Sequence, residues 1–315
     1  MFDVLIVGGG PAGLSAALTL GRVHRAVLLL DSGEGRNAPA DTVHNFITRD
    51  GTPPEELRRI SHAELASYPS VRLQRGTATA LRARNRSGFE VTRSDGDPVT
   101  ARRLLLATGL VDDMPGIEGV GPLWGRSAFH CPYCHGFECT GRAVAVIGSA
   151  PARVRLALQL SRFAGDVVLC TNGLSLDPDL QRALDGGGVA VRCEPVTRLE
   201  SEAGVLDQIA FEAGAPLARD VVFIENAPRQ RSPLAAQLGC AFLPDGCVEI
   251  NEFGRTSVAG VYAAGDMAHR PTVPMPLAAV VAAAASGTIA AGVIDQDLLS
   301  DDFSLPNPFA VEKVG

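Results

Sequence analysis

Lysine is nearly absent from this sequence, in which Lys313 is the only lysine and no dense run of basic residues occurs. The 28 basic and 35 acidic residues give a net charge of −7. A chain without a basic patch lacks the electrostatic footprint of a nucleic-acid-binding protein and of a basic membrane-surface site. The 315 residues are 46% hydrophobic and 20% charged, which is typical of a soluble globular protein. The length indicates roughly two domains.

Cysteines and long apolar runs are also scarce. Seven cysteines are too few, and odd in number, for the disulfide framework of a secreted protein. Asp3 stands where a signal peptide would carry basic residues. Residues 277–294 form an uncharged stretch long enough to span a membrane. They are mainly Ala, Gly, Ser and Thr, however, which favours a closely packed buried helix. We therefore expect a cytoplasmic protein without a membrane span.

Two segments follow one plan of apolar strand, glycine-containing turn, helix and second strand. The four parts lie at 3–7, 8–13, 14–20 and 27–30 in the first copy and at 143–147, 148–153, 154–163 and 167–170 in the second. Both copies are typical of β-α-β units that open a parallel sheet. The predicted fold class is therefore α/β, with two Rossmann-like dinucleotide-binding domains.

The first copy has the complete dinucleotide fingerprint. Gly8 permits the tight turn, Gly10 lets the backbone approach a pyrophosphate, and Gly13 allows close helix–strand packing. Pro11 occupies an early helical position, where its missing N–H costs nothing. Asp31, at the end of the second strand, can accept hydrogen bonds from ribose hydroxyls. These features predict that the helix N-terminus binds phosphate groups.

Two later segments distinguish FAD from NAD as the nucleotide. An apolar strand ends at Thr108–Gly109, and a strand over 256–266 ends in the pair Gly265–Asp266. With the first fingerprint, they resemble the three FAD segments of flavoproteins with two dinucleotide folds. The resemblance implies that Asp266 binds the ribityl chain and that a helix over 277–292 points its N-terminus at the flavin, where its dipole stabilises negative charge.

The same resemblance implies an interrupted domain. Residues 1–112 and 246–315 would form the FAD-binding domain, and residues 113–245 an inserted NAD(P)-binding-like domain that carries the cysteine motif. The residues predicted to bind FAD are Gly8, Gly10, Pro11, Ala12, Gly13, Asp31, Ser32, Arg36, Asn37, Asn45, Ala78, Thr108, Gly109, Gly265, Asp266 and Ala279.

Cys131 and Cys134 form a C-x-x-C motif, flanked by His130 and His135. C-x-x-C-H also matches a c-type haem attachment motif, but no export signal accompanies it. Zinc needs four ligands in tetrahedral reach, and these four residues are too close in sequence to surround one ion. We predict no metal here. Chance core cysteines remain an alternative, and a redox-active disulfide is the interpretation we favour.

The order of fingerprint, C-x-x-C, second dinucleotide fold and Gly-Asp pair is similar to that of the low-molecular-weight thioredoxin reductases, over essentially the whole chain. Asn45 matches the Asn of that family's Asn-aromatic pair beside the flavin. Segments 35–40, 49–51 and 131–138 resemble the thioredoxin-reductase-like dithiol oxidases, which make the disulfides of gliotoxin and holomycin. Thioredoxin reductases usually have an acid after the second cysteine, where this chain has His135.

The resemblance implies a two-electron relay in a homodimer. Cys134 would face the flavin and Cys131 would exchange with the substrate, either a thioredoxin-like protein or a small-molecule dithiol. His135 is the candidate acid/base group, with His130 as a second candidate, because an imidazole can move protons near neutral pH. The alternative is a histidine at a helix entry with only a backbone contact.

The second fingerprint is damaged. Ala150 and Arg153 replace its second and third glycines, and Thr171 begins a Thr-Asn-Gly sequence where an acid or cations would bind ribose or 2′-phosphate. We therefore expect NADPH to bind poorly or not at all. Alternatively, Arg153, Arg155 or Arg162 could restore phosphate binding in a shifted pose.

Several functions are compatible with these features. The favoured one is a flavoenzyme that exchanges electrons between FAD and a dithiol or disulfide, with oxygen or ferredoxin as the other electron partner. The alternatives are an NADPH-dependent thioredoxin reductase and a non-catalytic redox sensor.

Overall fold

The computed structural model describes residues 1–84, 88–94 and 96–309. The chain divides into two compact units. Unit 1 contains residues 1–36, 55–111 and the described residues from Arg229 onward, and unit 2 contains residues 37–54 and 112–228. The α/β class and the paired Rossmann-like architecture are confirmed.

Unit 1 is built on a mainly parallel sheet. Its elements are β1 (Phe2–Val7), α1 (Pro11–Arg22), β2 (Val27–Asp31), α2 (Pro54–Leu65, with Pro54 counted in unit 2), β3 (Val71–Arg75), β4 (Ala78–Ala83), β5 (Phe89–Arg93) and β6 (Gly96–Leu106). After the return of the chain come α7 (Leu234–Gln237), β17 (Val248–Glu249), β18 (Val261–Ala263), β19 (Ala268–His269) and α8 (Val280–Phe303). The strand order is β3-β2-β1-β6-β5-β4, with β18 also paired to β6. β1 and β2 are apolar and largely buried because both faces of a parallel sheet are covered.

Unit 2 contains a second, fully parallel sheet. Its elements are α3 (Val120–Leu123), β8 (Ala128–Phe129), α4 (Pro132–His135), a 3₁₀ turn (Phe137–Cys139), β9 (Ala143–Ile147), α5 (Pro151–Leu160), β10 (Asp166–Cys170), α6 (Pro178–Gly186), β11 (Ala190–Arg192), β12 (Val196–Glu202), β13 (Val205–Phe211), β14 (Leu217–Ala218) and β15 (Val221–Phe223). The sheet has the order β11-β10-β9-β15-β8. The chain runs outward from β9 to β10 and β11, and it then returns to place β15 on the opposite side of β9. The topological switch point of unit 2 therefore lies between β9 and β15. β12, β13 and β14 form a separate antiparallel sheet.

The division into units differs from the predicted boundaries in three places. Residues 37–54 belong to unit 2 although they follow the first β-α-β segment, Asp112 also belongs to unit 2, and residues 229–245 belong to unit 1. The chain changes unit within two strands, β7 (Leu110–Asp113) and β16 (Ala227–Gln230), which pair with each other. Because β16 brings the chain back before α7, the apolar residues of α7 join the core of unit 1.

Two predicted elements near the C-terminus have different bounds. The strand predicted over 256–266 is confined to Val261–Ala263, because the hydroxyl of Thr256 donates to the carbonyl of Val261 (2.9 Å) and accepts from the N–H of Val258 (3.1 Å), which makes a turn. The helix predicted over 277–292 begins at Val280 and continues to Phe303. Within the described part of the chain, no helix is long and apolar enough to cross a membrane. The small residues of α8 serve packing instead, because a Cβ at Gly287 would meet the backbone of Ala12 in α1.

A buried ionic network fixes the end of α8. The carboxylate of Asp297 accepts two hydrogen bonds from Arg255 (2.6 and 3.1 Å), one from Asn307 (2.5 Å) and one from the hydroxyl of Tyr262. Burial alone would raise the pKa of Asp297, but these partners lower it below its ordinary value. The network therefore stabilises the fold at neutral pH, where Asp297 is ionised.

Asp297→Asn is expected to lower the free energy of unfolding by about 3 kcal/mol, because it leaves the Arg255 cation without its buried partner. Because the folded pKa of Asp297 is lowered, the stabilisation is complete above the unfolded value of about 4 and is lost as the pH falls. Urea unfolding at several pH values measures this. The matched control is Asp301→Asn, which removes a half-exposed ion pair with Arg103 and should cost less than about 1 kcal/mol. Equal losses in the two variants would contradict the assignment.

Candidate active site

The first glycine loop has the conformation that the fingerprint predicts. Gly8 follows β1 with a φ of +112°, and a Cβ there would collide with the carbonyl of Ala107. A Cβ on Gly13 would meet the carbonyl oxygen of Gly8. Gly10 caps α1, Pro11 is its first residue, and a Cβ on Gly10 would meet nothing within 4 Å. The loop thus leaves open space beside a helix N-terminus, which fits a pyrophosphate.

Asp31 lies under this loop. Its Oδ1 accepts from the N–H groups of Gly9 (3.3 Å) and Gly33 (3.1 Å), and its Oδ2 pairs with Arg58 of α2. The position fits the predicted ribose contact. Sequence reasoning missed Arg58, which lies outside the fingerprint and joins it only through the fold.

The Gly-Asp pair contacts another residue predicted to bind FAD. Asp266 accepts a hydrogen bond from the Arg36 guanidinium (2.8 Å), which brings together two residues predicted to bind FAD. Gly265 has a φ of +78°, and its N–H donates to the hydroxyl of Ser286 (2.9 Å). Ser286 was not predicted, and it anchors the pair to α8.

The remaining predicted FAD residues differ in their contacts and in their burial. Thr108 contacts the Met267 sulfur through its N–H and its hydroxyl, both at 3.3 Å. Gly109 has a φ of +68° and open space beside its α-carbon. Ala279 precedes α8 as its cap, and Ser32 is exposed in the turn after β2. Ala78 and Ala12 are buried, so they offer a ligand mainly their backbone.

Asn37 and Asn45 belong to unit 2, whereas the other fourteen predicted FAD residues belong to unit 1. Asn45 has a φ of +61°, a left-handed conformation that Asn adopts more readily than most residues. Its N–H donates to the Asp50 carboxylate (2.8 Å). A flavin contact of these two residues stays a prediction.

Cys131 and Cys134 form a disulfide in unit 2. Cys131 caps α4, Pro132 is its first residue, and Cys134 lies within this single turn, so that the two Cα atoms are 5.4 Å apart. This separation is normal for a disulfide. The disulfide supports the redox interpretation over the chance-cysteine and zinc alternatives, because neither sulfur is a free thiolate in this state.

His135 follows the disulfide directly and is held by packing. Its ring stacks on Phe129, with 4.1 Å between the ring centroids. Burial lowers the pKa of His135; Glu138 opposes this shift and His44 reinforces it. The imidazole therefore stays neutral, and able to accept a proton, to lower pH than an ordinary histidine.

Sequence reasoning missed one neighbour of His135, the imidazole of His44. The rings of His44 and His135 are 6.3 Å apart between centroids. Nε2 of His44 lies 3.4 Å from the Glu138 carboxylate and 2.8 Å from the Thr42 hydroxyl. His44 precedes His135 by 91 residues in sequence, so no local spacing could indicate it. His130, by contrast, stacks on Trp124 (5.4 Å between centroids).

The other cysteines are mostly buried, as the sequence predicts. Cys139, Cys170, Cys240 and Cys247 are buried, and Cys193 is exposed. Burial raises the pKa of the Cys139 thiol to about 11 and that of Cys170 to about 12. Such thiols carry almost no thiolate at neutral pH.

Arg153 lies in the damaged second fingerprint. Its Cγ would be 2.9 Å from a Cβ placed on Gly148, and its Nη1 donates to the carbonyl of Ile224 (3.0 Å). Gly148 directly follows β9 and Ile224 directly follows β15, so this side chain bridges the carboxyl ends of the two strands at the switch point. Burial lowers the pKa of Arg153, against the effect of Glu225. Its buried Nε has no hydrogen-bond partner among the described residues.

Comparisons with known proteins agree with this geometry. The pyridine nucleotide-disulphide oxidoreductase family profile matches residues 2–287. Thioredoxin reductase sirT of Leptosphaeria maculans is 32% identical over 96% of each chain. Thioredoxin reductase tcpT of Claviceps purpurea is 35% identical over 84% of this chain and 86% of its own length.

Solved structures show the same relationship. HlmI is 36% identical with a TM-score of 0.88, covering 96% of this chain and 94% of its own. A putative thioredoxin reductase TrxB from Bacillus anthracis is 32% identical with a TM-score of 0.88, covering 96% of this chain and all of its own. The chain therefore belongs to the pyridine nucleotide-disulphide oxidoreductase family, as a thioredoxin reductase-like flavoprotein enzyme.

Proposed function

We propose that this protein is an FAD-dependent thiol–disulfide oxidoreductase that works through the Cys131–Cys134 disulfide and does not use NADPH. The observation that carries the proposal is a closed C-x-x-C disulfide next to a half-buried, uncharged His135. FAD would be held by the glycine loop, Asp31, Arg36 and Asp266, and when bound it would supply a two-electron acceptor and donor.

The chain's own sulfurs carry out the exchange. A substrate thiolate attacks Sγ of Cys131, the bond between Cys131 and Cys134 breaks, and Cys134 leaves as the thiolate. The second substrate thiol, after losing its proton, attacks the mixed disulfide and releases Cys131 as a thiolate. The substrate leaves as a disulfide, oxidised by two electrons, and the enzyme is left with a reduced dithiol. Closure of this dithiol to the disulfide would release its protons and pass the two electrons to bound FAD, from which the second electron partner would remove them.

His135 is the group that takes the proton from the substrate thiol. Because burial lowers its pKa, the base form persists below the ordinary histidine value near 6.5 and is lost only as the pH falls further. His44 and Glu138 lie against this histidine and set the charge around it.

His135→Gln is expected to lower kcat for dithiol oxidation by about 100-fold, the usual contribution of a positioned base. The fall of kcat/KM on the acid side of the pH profile should disappear with it. His130→Gln is the matched control, because His130 also flanks the motif in sequence but its ring stacks on Trp124, so the acid limb should remain. An unchanged profile in His135→Gln would remove the histidine from the mechanism.

Arg153 is the reason why we do not expect NADPH to bind unit 2. Ligands of doubly wound sheets bind outside the carboxyl ends of the strands at the switch point. The Arg153 side chain occupies the switch point of unit 2, where it donates to the carbonyl of Ile224. Ala150 adds a Cβ where the backbone must approach the pyrophosphate. A buried cation that already donates to Ile224 would have to leave its position to bind a phosphate.

The double variant Arg153→Ala/Ala150→Gly is therefore expected to gain affinity for NADPH over the wild type, measured by equilibrium dialysis. Arg155→Ala, an exposed cation on the same helix, is the control and should change nothing. If Arg153 instead served as a phosphate ligand, the wild type would bind NADPH and Arg153→Ala would bind it less.

An NADPH-dependent thioredoxin reductase is the second candidate. The names of the relatives favour it, including the thioredoxin reductase of Bacillus subtilis, which is 25% identical over 92% of this chain. Hydrogen peroxide formed in equal amount with substrate disulfide supports a dithiol oxidase, and NADPH-driven reduction of thioredoxin supports the reductase. We also propose a cytoplasmic homodimer whose substrate is a thioredoxin-like protein or a small dithiol, with oxygen or ferredoxin as the second electron partner. A non-catalytic sensor would show no turnover with any dithiol.

A further inference from the structure

Three side chains with metal-binding atoms converge in unit 1: Asp245, Cys247 and His269. One carboxylate oxygen, the sulfur and one ring nitrogen all lie within 4.8 Å of one another. The three residues belong to neither fingerprint nor to the C-x-x-C motif. Cys247 follows Asp245 by two residues, and His269 follows Cys247 by twenty-two.

The backbone holds the three residues in a fixed arrangement. Cys247 directly precedes β17 and His269 ends β19, and these strands pair in parallel with Glu249 opposite His269. Asp245 lies in the preceding turn, which is closed by a hydrogen bond from the N–H of Leu243 to the carbonyl of Cys247 (2.8 Å). Side chains on paired strands and a tight turn vary little in position, which favours a preformed site.

The hydrogen bonds of His269 distinguish a metal-binding histidine from the base of a Cys–His catalytic pair. Nδ1 lies 2.9 Å from the carbonyl oxygen of Arg270, which can only accept, so Nδ1 carries a proton. Nε2 lies 2.8 Å from Oδ2 of Asp245, a direct contact that holds a proton in the metal-free protein. Both ring nitrogens therefore have oxygen partners, Arg270 and Asp245, which argues against a Cys–His catalytic pair. An Nδ1–H held by a backbone carbonyl, with Nε2 facing other ligands, is the usual arrangement of a metal-binding histidine.

The other two ligands are oriented as well. Oδ1 of Asp245 accepts from the N–H of Cys247 (3.0 Å), which leaves Oδ2 toward the cluster. The side chain of Asp245 is 35% exposed, whereas Cys247 and His269 are 2% and 8% exposed. The cluster is therefore buried on one side and reachable from solvent on the other.

We infer that Asp245, Cys247 and His269 form a zinc site with three protein ligands and a fourth position open to water. Sulfur, imidazole nitrogen and carboxylate oxygen bind Zn²⁺ at about 2.0–2.3 Å in tetrahedral geometry, which places the ligand atoms about 3.3–3.7 Å apart. The three ligand atoms lie within 4.8 Å of one another, and Nε2 of His269 and Oδ2 of Asp245 would have to separate from 2.8 Å to admit the ion. Binding would replace the Cys247 thiol proton and the proton between His269 and Asp245 with bonds to zinc, and both protons would pass to solvent. The inference does not depend on the proposed function.

Titration of the tag-free, FAD-loaded protein with zinc chloride tests the site. The Cys131–Cys134 disulfide must be closed, because two free thiols there would bind zinc themselves. Calorimetry should give one zinc per chain, and X-ray absorption at the zinc edge should show one sulfur at about 2.3 Å. Cys247→Ser and Asp245→Asn should each weaken zinc binding by more than about 100-fold. This loss is larger than that caused by removing a residue that only hydrogen-bonds a metal ligand.

Cys193→Ser is the matched control, because it removes an exposed cysteine outside the cluster and should leave zinc affinity unchanged. The flavin spectrum and thermal midpoint of each variant establish that it is folded. A wild type that binds no stoichiometric zinc would overturn the inference, and so would full affinity in folded Cys247→Ser. Neither result would bear on the dithiol chemistry of unit 2.

Discussion

Cys134→Ser is expected to lower steady-state dithiol oxidation by at least about 1,000-fold, because serine cannot form the disulfide through which the electrons pass. FAD content should be unchanged, since the predicted flavin-binding residues of unit 1 are untouched. Oxygen consumption with a dithiol substrate measures the rate, and flavin absorbance measures the bound cofactor. The structural cost is small because Cys134 lies in a single helical turn and is only half-buried.

Cys193→Ser is the control for the loss of a thiol outside the disulfide and should retain full turnover. A Cys131→Ser variant should be as inactive as Cys134→Ser, since both sulfurs are needed for every cycle. Substantial dithiol turnover in either disulfide variant would show that the flavin reacts with the substrate directly, and the relay would have to be abandoned.

Gly10→Ala is expected to lower FAD affinity by about 100-fold, equivalent to about 3 kcal/mol, while the apoprotein keeps its fold. Gly10 has a φ of −77°, which any residue can adopt, and a Cβ there meets no protein atom within 4 Å. The methyl group would instead occupy the space into which the loop admits a pyrophosphate. Flavin retention after dialysis and the thermal midpoint of the apoprotein measure the two effects separately.

Gly292→Ala is the matched control, because this glycine lies within α8 and its Cβ also has free space around it. Its FAD affinity should equal that of the wild type. The same logic applies to Ala150, which already carries a Cβ at the corresponding place of the second fingerprint. If Gly10→Ala bound FAD normally, the assignment of both fingerprints would fail together.

The fold was predictable where a short stretch of sequence determines the local structure. The apolar runs of β1 and β9 and the glycines after them have one physical solution, a strand that turns tightly into a helix. The ends of α8 were not predictable, because its start carries no side-chain cap and its apolar stretch extends into a network around Asp297. The short length of β18 was not predictable either, because the turn before it depends on a hydrogen bond from the hydroxyl of Thr256.

The candidate site was predictable in its motifs and not in its surroundings. Cys131, Cys134 and His135 are adjacent in sequence, and their spacing alone indicates redox chemistry. His44 reaches the same histidine only because residues 37–54 join unit 2, a placement without any local signal. Arg153 was recognised as an obstruction, but its bond to Ile224 across the switch point required the strand order.

The passage of electrons between a dithiol and the flavin is best tested by anaerobic titration of the oxidised holoenzyme in a spectrophotometer. The account predicts that dithiothreitol bleaches the flavin absorbance at one equivalent per flavin beyond that needed to open the disulfide, and that NADPH leaves the spectrum unchanged. Bleaching by NADPH within seconds, or a flavin that stays oxidised while the disulfide is fully reduced, would contradict it.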